Sequence, residues 1–163
     1  MTRTRLFIIT GALVGAALLV PTYVYAQTTA TLNVTANVAA RCTIKAATLA
    51  FGAYDPIVAN LTAALDGTTT FTVTCTQGGA NVFVGASLGV NALGSVRRLK
   101  SGTADFLTYE LYREPGRTTI WGTTQAAGLA VVPDGTTPVT MSVYGRIAGA
   151  QDSPVGTYSD TVV

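Results

Sequence analysis

Apolar residues occupy every second position over several segments of this chain, and this spacing restricts its fold more than any other feature. The most regular segment covers residues 139–147, where Val139, Met141, Val143 and Ile147 alternate with polar side chains. A period of two places the two sets of side chains on opposite faces of a β-strand. Residues 139–147 are therefore predicted to form a central strand.

Two further segments share this alternation, which assigns their core-facing residues. These are Phe71, Val73 and Cys75 within residues 70–76, and Leu107, Tyr109 and Leu111 within residues 107–113. Residues 82–88 are predicted to pair with the strand at 70–76 across a Gly-rich turn. No window of about 10 to 12 residues in the exported part of the chain has the 3.6-residue period of a helix. The pattern predicts an all-β sandwich.

The first 26 residues are predicted to be a secretory signal peptide. Arg3 and Arg5 precede an apolar run over residues 6–20, and a small-residue ending at Ala26 offers a cleavage site. The alternative is a membrane anchor, which would need roughly 20 apolar residues to cross a bilayer. Because this run is shorter, the exported chain is predicted to begin at Gln27 and to have no membrane span.

Charge gives no indication of a nucleic-acid or membrane partner. Without Arg3 and Arg5 the exported chain carries eight basic and eight acidic residues, so it is neutral. Its densest basic stretch is Arg97-Arg98-Leu99-Lys100, which is interpreted as a solvated turn. The remaining length of about 137 residues suits a single domain.

Two cysteines, Cys42 and Cys75, remain in the exported chain and are predicted to form one disulfide. An even number of cysteines in an oxidising compartment is typical of paired thiols, and the alternative is two free buried thiols. Closing a loop of this length would stabilise the fold by about 4 kcal/mol on the chain-entropy estimate.

Residues 29–40 form a strand-like segment that lacks a partner in its own sequence neighbourhood. The alternating apolar positions are Ala30, Leu32, Val34, Ala36 and Val38. No Gly, Asn or Pro separates this segment from Cys42, so no tight hairpin joins it to the next strand. The segment is either an ordinary first strand of its own domain or a strand offered to another molecule.

Several phrases, in this order and spacing, resemble the spore coat protein U domain family, which includes the Csu-type pilins of archaic chaperone–usher pili. The phrases are Cys42-Thr43-Ile44, Phe51-Gly52-Ala53-Tyr54-Asp55-Pro56, Thr72-Val73-Thr74-Cys75, Arg98-Leu99-Lys100, Leu107-Thr108-Tyr109-Glu110-Leu111-Tyr112-Arg113, Ile120-Trp121-Gly122, Val143-Tyr144-Gly145-Arg146-Ile147 and Gly156-Thr157-Tyr158-Ser159-Asp160-Thr161-Val162. The resemblance covers nearly the whole exported chain.

The resemblance implies an incomplete immunoglobulin-like β-sandwich over residues 42–163, lacking its final strand, with a donor-strand extension over residues 27–41. The implied function is that of a structural pilus subunit, exported through the periplasm to the cell surface and supporting attachment and biofilm formation. A periplasmic chaperone would first fill the open groove. The extension of a neighbouring pilin, identical or different, would replace the chaperone at the outer-membrane usher.

One feature departs from the family pattern. Relatives usually continue beyond the Gly156-Thr157-Tyr158 phrase with more alternating residues, whereas the sequence stops at Val163. Either the sequence is truncated or this subunit has a shorter groove wall.

The residues needed for enzyme chemistry are sparse, so no catalytic site, cofactor or metal is expected. The 163 residues contain no histidine, which removes the common nucleophilic triads and the commonest metal ligand. Trp121 is interpreted as core or edge packing rather than a sugar platform, and Asp160 as a structural hydrogen-bonding residue. The alternative function is a self-contained secreted coat-like or carbohydrate-binding adhesive domain.

Overall fold

The computed structural model describes residues 23, 26–46, 48–78, 81–102, 104–132 and 134–163. Within these residues the chain forms seven β-strands and a short 3-10 helix, Gln125–Ala127, and no α-helix. The strands are β1 (Cys42–Ala46), β2 (Leu65–Cys75), β3 (Val82–Val84), β4 (Arg97–Ser101), β5 (Asp105–Tyr112), β6 (Leu129–Val131) and β7 (Val139–Ile147). The prediction of an all-β domain is confirmed.

Five strands form the larger sheet in the order β1-β2-β7-β5-β4, and β3 pairs with β6 in a second, smaller sheet. All of the pairings are antiparallel. β7 lies between β2 and β5, as its regular alternation predicts. Facing layers of this kind form a β-sandwich, in which each sheet contributes one apolar face to the core.

The core is built from the inward faces that the alternation predicts. Its buried residues are Phe71, Val73 and Cys75 from β2, Leu107, Tyr109 and Leu111 from β5, Val143 and Ile147 from β7, and Val84, Ala86, Trp121 and Val131 from the opposite layer. Threonines occupy much of the outer face of β2. Since β-branched residues suit a pleated surface on either face, this composition favours the strand conformation.

Residues Asn37–Val163 form a unit distinct from the residues that precede it. Residues 26–36 contain no strand or helix. The predicted signal peptide, residues 1–26, lies outside the described residues except for Tyr23 and Ala26. No helix among the described residues is long and apolar enough to cross a bilayer.

Two local predictions are wrong. β3 pairs with β6 rather than with β2, whose two edges are already taken by β1 and β7. The basic stretch at residues 97–100 is strand β4 rather than a solvated turn, and the side chain of Arg97 is completely buried. Its burial is possible because backbone carbonyls and a carboxylate surround the guanidinium group.

Candidate binding groove

A cavity of about 420 Å³ opens between two edges of the sandwich. One wall is β1 with the residues that follow it, and the other is the segment Asp160–Val163. The floor consists mainly of core side chains, among them Phe71, Val84, Leu111, Trp121 and Val143. The groove is therefore a strip of hydrophobic core that the described chain leaves uncovered.

β1 presents core-facing side chains that the described residues leave uncovered. Ile44 lies opposite Val73 and Ala46 lies opposite Phe71 in the antiparallel register, so these side chains share the inward face. Val73 is 1% exposed, whereas Ile44 is 56% exposed. A residue on the inner face of a sheet is normally buried, so the exposure of Ile44 marks the place where a further strand would lie.

Among the described strands, the backbone of β1 also has no partner on this side. Cys42 and Cys75 are directly opposite, and their Cα atoms are 4.0 Å apart, the close spacing of a pair that exchanges no backbone hydrogen bonds. Because bonded and non-bonded pairs alternate, the N–H and C=O groups of Ile44 and Ala46 also point away from β2. β1 is the terminal strand of its sheet, so these groups face the groove.

The opposite wall is held from one side only. Ser159 exchanges two backbone hydrogen bonds with Lys100, at 2.9 and 3.0 Å. The carbonyl oxygens of Thr161 and Val163 accept from residues 87–90, at 3.1 and 2.8 Å. The predicted last strand from Gly156 is thus reduced to one β-bridge and a short bonded segment.

Between these bonded residues lie Asp160 and Val162, whose backbone groups point in the other direction. In an extended chain, successive N–H and C=O groups alternate between the two edges. Neither Asp160 nor Val162 has a backbone hydrogen-bond partner among the described residues. Both walls of the groove therefore present free backbone donors and acceptors.

Trp121 packs into the floor of the groove, which confirms its interpretation as a packing residue. It is 8% exposed, and its Nε1 donates to the carbonyl of Val84 at 2.8 Å. The ring stacks almost parallel to Phe71, with ring centroids 5.5 Å apart. A buried tryptophan with its N–H satisfied is a stable packing element rather than a platform for ligands.

Asp160 has the structural role that the sequence predicts. Its carboxylate accepts hydrogen bonds from the backbone and side-chain nitrogens of Asn91, at 3.1 and 3.0 Å, and from the Tyr109 hydroxyl at 2.7 Å. Burial, followed by this bond from the neutral hydroxyl, raises the pKa of Tyr109 well above its usual value. The network ties the second wall to the core strand β5.

Arg97 was missed by sequence reasoning, although it lies behind the groove. Its Nη2 lies 3.0 Å from the carbonyl oxygen of Ala86, 2.9 Å from that of Ser87 and 2.8 Å from that of Trp121. Its Nε donates to Ser87 at 3.1 Å, and its Nη1 forms an ion pair with Glu110. Arginine is rarely fully buried, so its residue type alone predicts exposure.

Two facing glycines make room for the chain that borders the groove. Gly67 of β2 lies opposite Gly145 of β7. A Cβ atom on Gly145 would lie 2.6 Å from Leu49 Cδ2 and 2.7 Å from Phe51 Cζ. The two glycines therefore allow Leu49 and Phe51 to pack directly onto the sheet.

The predicted disulfide between Cys42 and Cys75 is confirmed. It joins the edge strand β1 to β2, and the backbone pairing continues one residue further. Thr76 N donates to Arg41 O at 2.8 Å, and Arg41 N donates to Thr76 Oγ1 at 3.1 Å. The chain entering β1 therefore continues the line of the strand past the disulfide.

The five predicted donor residues, Ala30, Leu32, Val34, Ala36 and Val38, are all exposed. Leu32 is 84%, Val34 83% and Val38 79% exposed. Their assignment as a donor strand stays a prediction.

The fold and the groove together define an immunoglobulin-like β-sandwich in which the described residues leave one edge-strand position open. The Spore Coat Protein U domain family matches residues 28–163, and the chain belongs to this family. The chain is 40% identical over 150 residues to Protein U of Myxococcus xanthus. This alignment covers 85% of the chain and 83% of Protein U.

A solved structure shares the fold. It is the CsuC–CsuE chaperone–tip adhesion subunit pre-assembly complex from archaic chaperone-usher Csu pili of Acinetobacter baumannii, with a TM-score of 0.56 and 20% sequence identity. The match covers 77% of this chain and 39% of the matched chain. At this identity the likeness concerns the fold.

Proposed function

We propose that this protein is a structural subunit of a surface pilus, assembled by donor-strand exchange through the chaperone–usher pathway. The observation that carries the proposal is the groove. It exposes core-facing side chains such as Ile44 between two edges with free backbone groups, which is the form of site that accepts an added β-strand.

An occupant must be extended and must present apolar side chains at every second position. Extended backbone satisfies the free groups of β1 and of residues Asp160 and Val162, while alternate side chains fill the apolar floor. Residues 30–38 of the same sequence have this pattern. Each of their five apolar side chains contributes on the order of 1 kcal/mol on burial, and each ladder hydrogen bond adds about 1 kcal/mol.

The contacts of Thr76 favour a groove filled by a second copy rather than by the chain's own extension. To reach its own groove the extension would have to reverse direction immediately before β1. Instead Ala39 and Arg41 are held by Thr76, whose Oγ1 lies 3.3 Å from Ala39 O and 3.2 Å from Arg41 O. Residues 39–41 therefore continue away from the groove.

The proposed partners follow from the exposed edge. An uncovered apolar groove promotes aggregation during export, so a periplasmic pilus chaperone would cap it until the neighbouring pilin arrives at the outer-membrane usher. The analogy is the solved relative, which is a complex of a chaperone with a tip adhesion subunit. We place the assembled protein at the cell surface, where it would support attachment and biofilm formation, without enzymatic activity.

The test compares two exported forms of the chain in the periplasm, residues 27–163 and a form beginning at Arg41. The longer form is expected to give oligomer ladders on gels without denaturant, and the shorter form is expected to give none. A peptide of residues 29–40 should convert the shorter form into a capped monomer. A stable soluble monomer from both forms would contradict donor-strand exchange and favour the self-contained coat or adhesive domain.

A matched pair of substitutions tests the role of the apolar face. Leu32→Asp places a charge on the face proposed to enter the groove and should abolish the ladders. Thr31→Asp places the same charge on the opposite face and should leave the ladders in place. Equal losses from both variants would mean that the extension does not bind as an alternating strand.

A further inference from the structure

Arg97 connects three parts of the molecule that meet at the groove. Its guanidinium group contacts the carbonyl oxygens of Ala86 and Ser87, which begin the segment that holds the second wall. It also contacts the carbonyl of Trp121, which lies in the floor. The remaining nitrogen is paired with Glu110 of β5.

Ser87 carries this contact directly to the wall. The backbone N–H of Ser87 donates to Val163 O at 2.8 Å, and Ser87 Oγ accepts from Val163 N at 2.9 Å. The neighbouring Val90 N donates to Thr161 O at 3.1 Å. A shift of the Ser87 carbonyl away from Arg97 would therefore move the second wall, whose backbone groups an incoming strand must hydrogen-bond.

The chemistry of the site requires arginine in particular. Three carbonyl oxygens and a carboxylate surround one planar group, and a guanidinium offers five N–H donors in a fixed fork. A lysine ammonium keeps the charge beside Glu110 but has three donors at one point. It cannot reach Ala86, Ser87 and Trp121 together in the same way.

We infer that Arg97 is a positioning residue for the acceptor groove, because it fixes the floor and the second wall in the register that a donor strand needs. This role rests on the proposed function. Arg97 acts through Ser87 and Trp121 and does not itself line the cavity. Arg97 thereby sets the positions of the floor and the second wall, in addition to any contribution that it makes to overall stability.

The test uses the full exported chain with Arg97→Lys, compared with Arg146→Lys as a matched control. Arg146 pairs with Asp66 at the surface, away from the cavity lining. In Arg97→Lys, amide hydrogen exchange at Ser87 and Val90 is expected to accelerate about tenfold or more, since a buried charged hydrogen bond is lost. The ladders should also dissociate about tenfold faster, while β2 and β7 amides keep their protection.

Three results would overturn the inference. Ladders and Ser87 exchange as in the wild type would show that the fork of donors is not needed. A uniform acceleration across all strands would reduce Arg97 to a stabilising residue of the core. Equal effects from Arg146→Lys would show that any loss of an arginine weakens the fibre.

Glu110→Gln provides a second variant should Arg97→Lys fail to fold. It removes the ion pair and lowers overall stability, because the buried guanidinium loses its counter-charge, but it leaves the contacts to the three carbonyls. Amide exchange at Ser87 and Val90 is therefore expected to accelerate no more than exchange at β2 and β7, and a selective acceleration of about tenfold at Ser87 and Val90 would assign the effect to the ion pair and contradict the inference.

The form beginning at Arg41, whose groove no neighbouring extension fills, offers a measurement that needs no substitution, and it keeps nearly all of the compact unit Asn37–Val163. On titration with the peptide of residues 29–40, the NMR signals of Arg97 Nε–H, the Ser87 amide and the Trp121 indole are expected to change together and to saturate at one peptide concentration. An Arg97 signal that does not move while the Ser87 amide shifts would overturn the inference. If the peptide does not bind at all, the proposed function fails, and the exchange pattern of Arg97→Lys still tests the positioning of the wall.

Discussion

β7 and residues 30–38 have the same alternating pattern but very different surroundings. β7 has strands on both sides, and its inward residues Val143 and Ile147 are 5% and 2% exposed. In residues 30–38, Leu32 and Val34 are more than four-fifths exposed, and no strand forms. Alternation determines which face of a segment is apolar, but the segment forms a strand only where neighbouring strands hydrogen-bond to its edges.

The largest difference in the free energy of unfolding is expected when the same charge is placed in each of the two segments. Val143→Asp buries an unpaired carboxylate in β7 and should lower the free energy of unfolding by about 3–5 kcal/mol. Val34→Asp should leave the unfolding of the domain unchanged. Urea denaturation of both variants measures the difference, and a comparable loss from Val34→Asp would show that residues 30–38 are part of the folded core.

The edge strand β1 is intermediate, because it has a neighbour on one side only. Replacing both Cys42 and Cys75 with Ala should destabilise the domain by about 2–4 kcal/mol, since the link between β1 and β2 is lost. β1 amides should lose their exchange protection before those of β7. If β1 and β7 amides lost their protection together, the disulfide would stabilise the whole domain rather than β1 in particular.

A smaller effect is expected where β7 has no room for a side chain. Gly145→Ala would force Leu49 and Phe51 off the sheet and cost about 1–3 kcal/mol by overpacking. Gly116→Ala is the control, since no atom lies within 4 Å of its added Cβ. Thermal unfolding compares the two variants, and an unchanged melting temperature for Gly145→Ala would contradict the close packing at this glycine.

The smallest effect on stability is expected from an ion pair on the outer face of β7, between Asp66 and Arg146. The hydrogen bond from Arg146, assisted by the charge of Arg117, lowers the pKa of Asp66. Because the folded pKa lies below the unfolded value, the pair stabilises the domain above about pH 4, and this contribution is lost as the pH falls through the folded pKa. At this exposure it is worth less than about 1 kcal/mol.

Asp66→Asn should therefore reduce stability slightly at neutral pH and flatten the acid limb of the stability curve. Urea midpoints measured between about pH 2 and pH 7 give the comparison. An unchanged acid limb in the variant would show that other carboxylates account for it.

Much of the larger sheet could be predicted because its strands are long enough to show their period. The inward positions of β2, β5 and β7 were predicted correctly, and Val143 and Ile147 lie in the central strand as expected. The three-residue strands β3 and β6 contain too few positions to indicate a partner. Their pairing depends on residues more than forty positions apart in the chain, so the local pattern wrongly predicts β2 as the partner of β3.

The groove was predicted only through the resemblance to a family, and Arg97 was not predicted at all. Its burial depends on carbonyls contributed by Ala86, Ser87 and Trp121, which lie 10 to 24 positions away. Every residue type has a backbone carbonyl, so the type of a residue does not show whether its carbonyl faces a buried group. For this reason a buried arginine of this type cannot be distinguished from a solvated one in the sequence.

The sequence by itself determined the all-β character, the inward faces of the longer strands and the pairing of the two cysteines, because these depend on local periodicity and residue type. The tertiary structure decided which backbone edges remain open. Ile44 on β1 and Val162 in the opposite wall border the groove because long-range pairing occupies one side of each segment and leaves the other side free. An open edge is a property of the assembled sheet, so no single segment contains it.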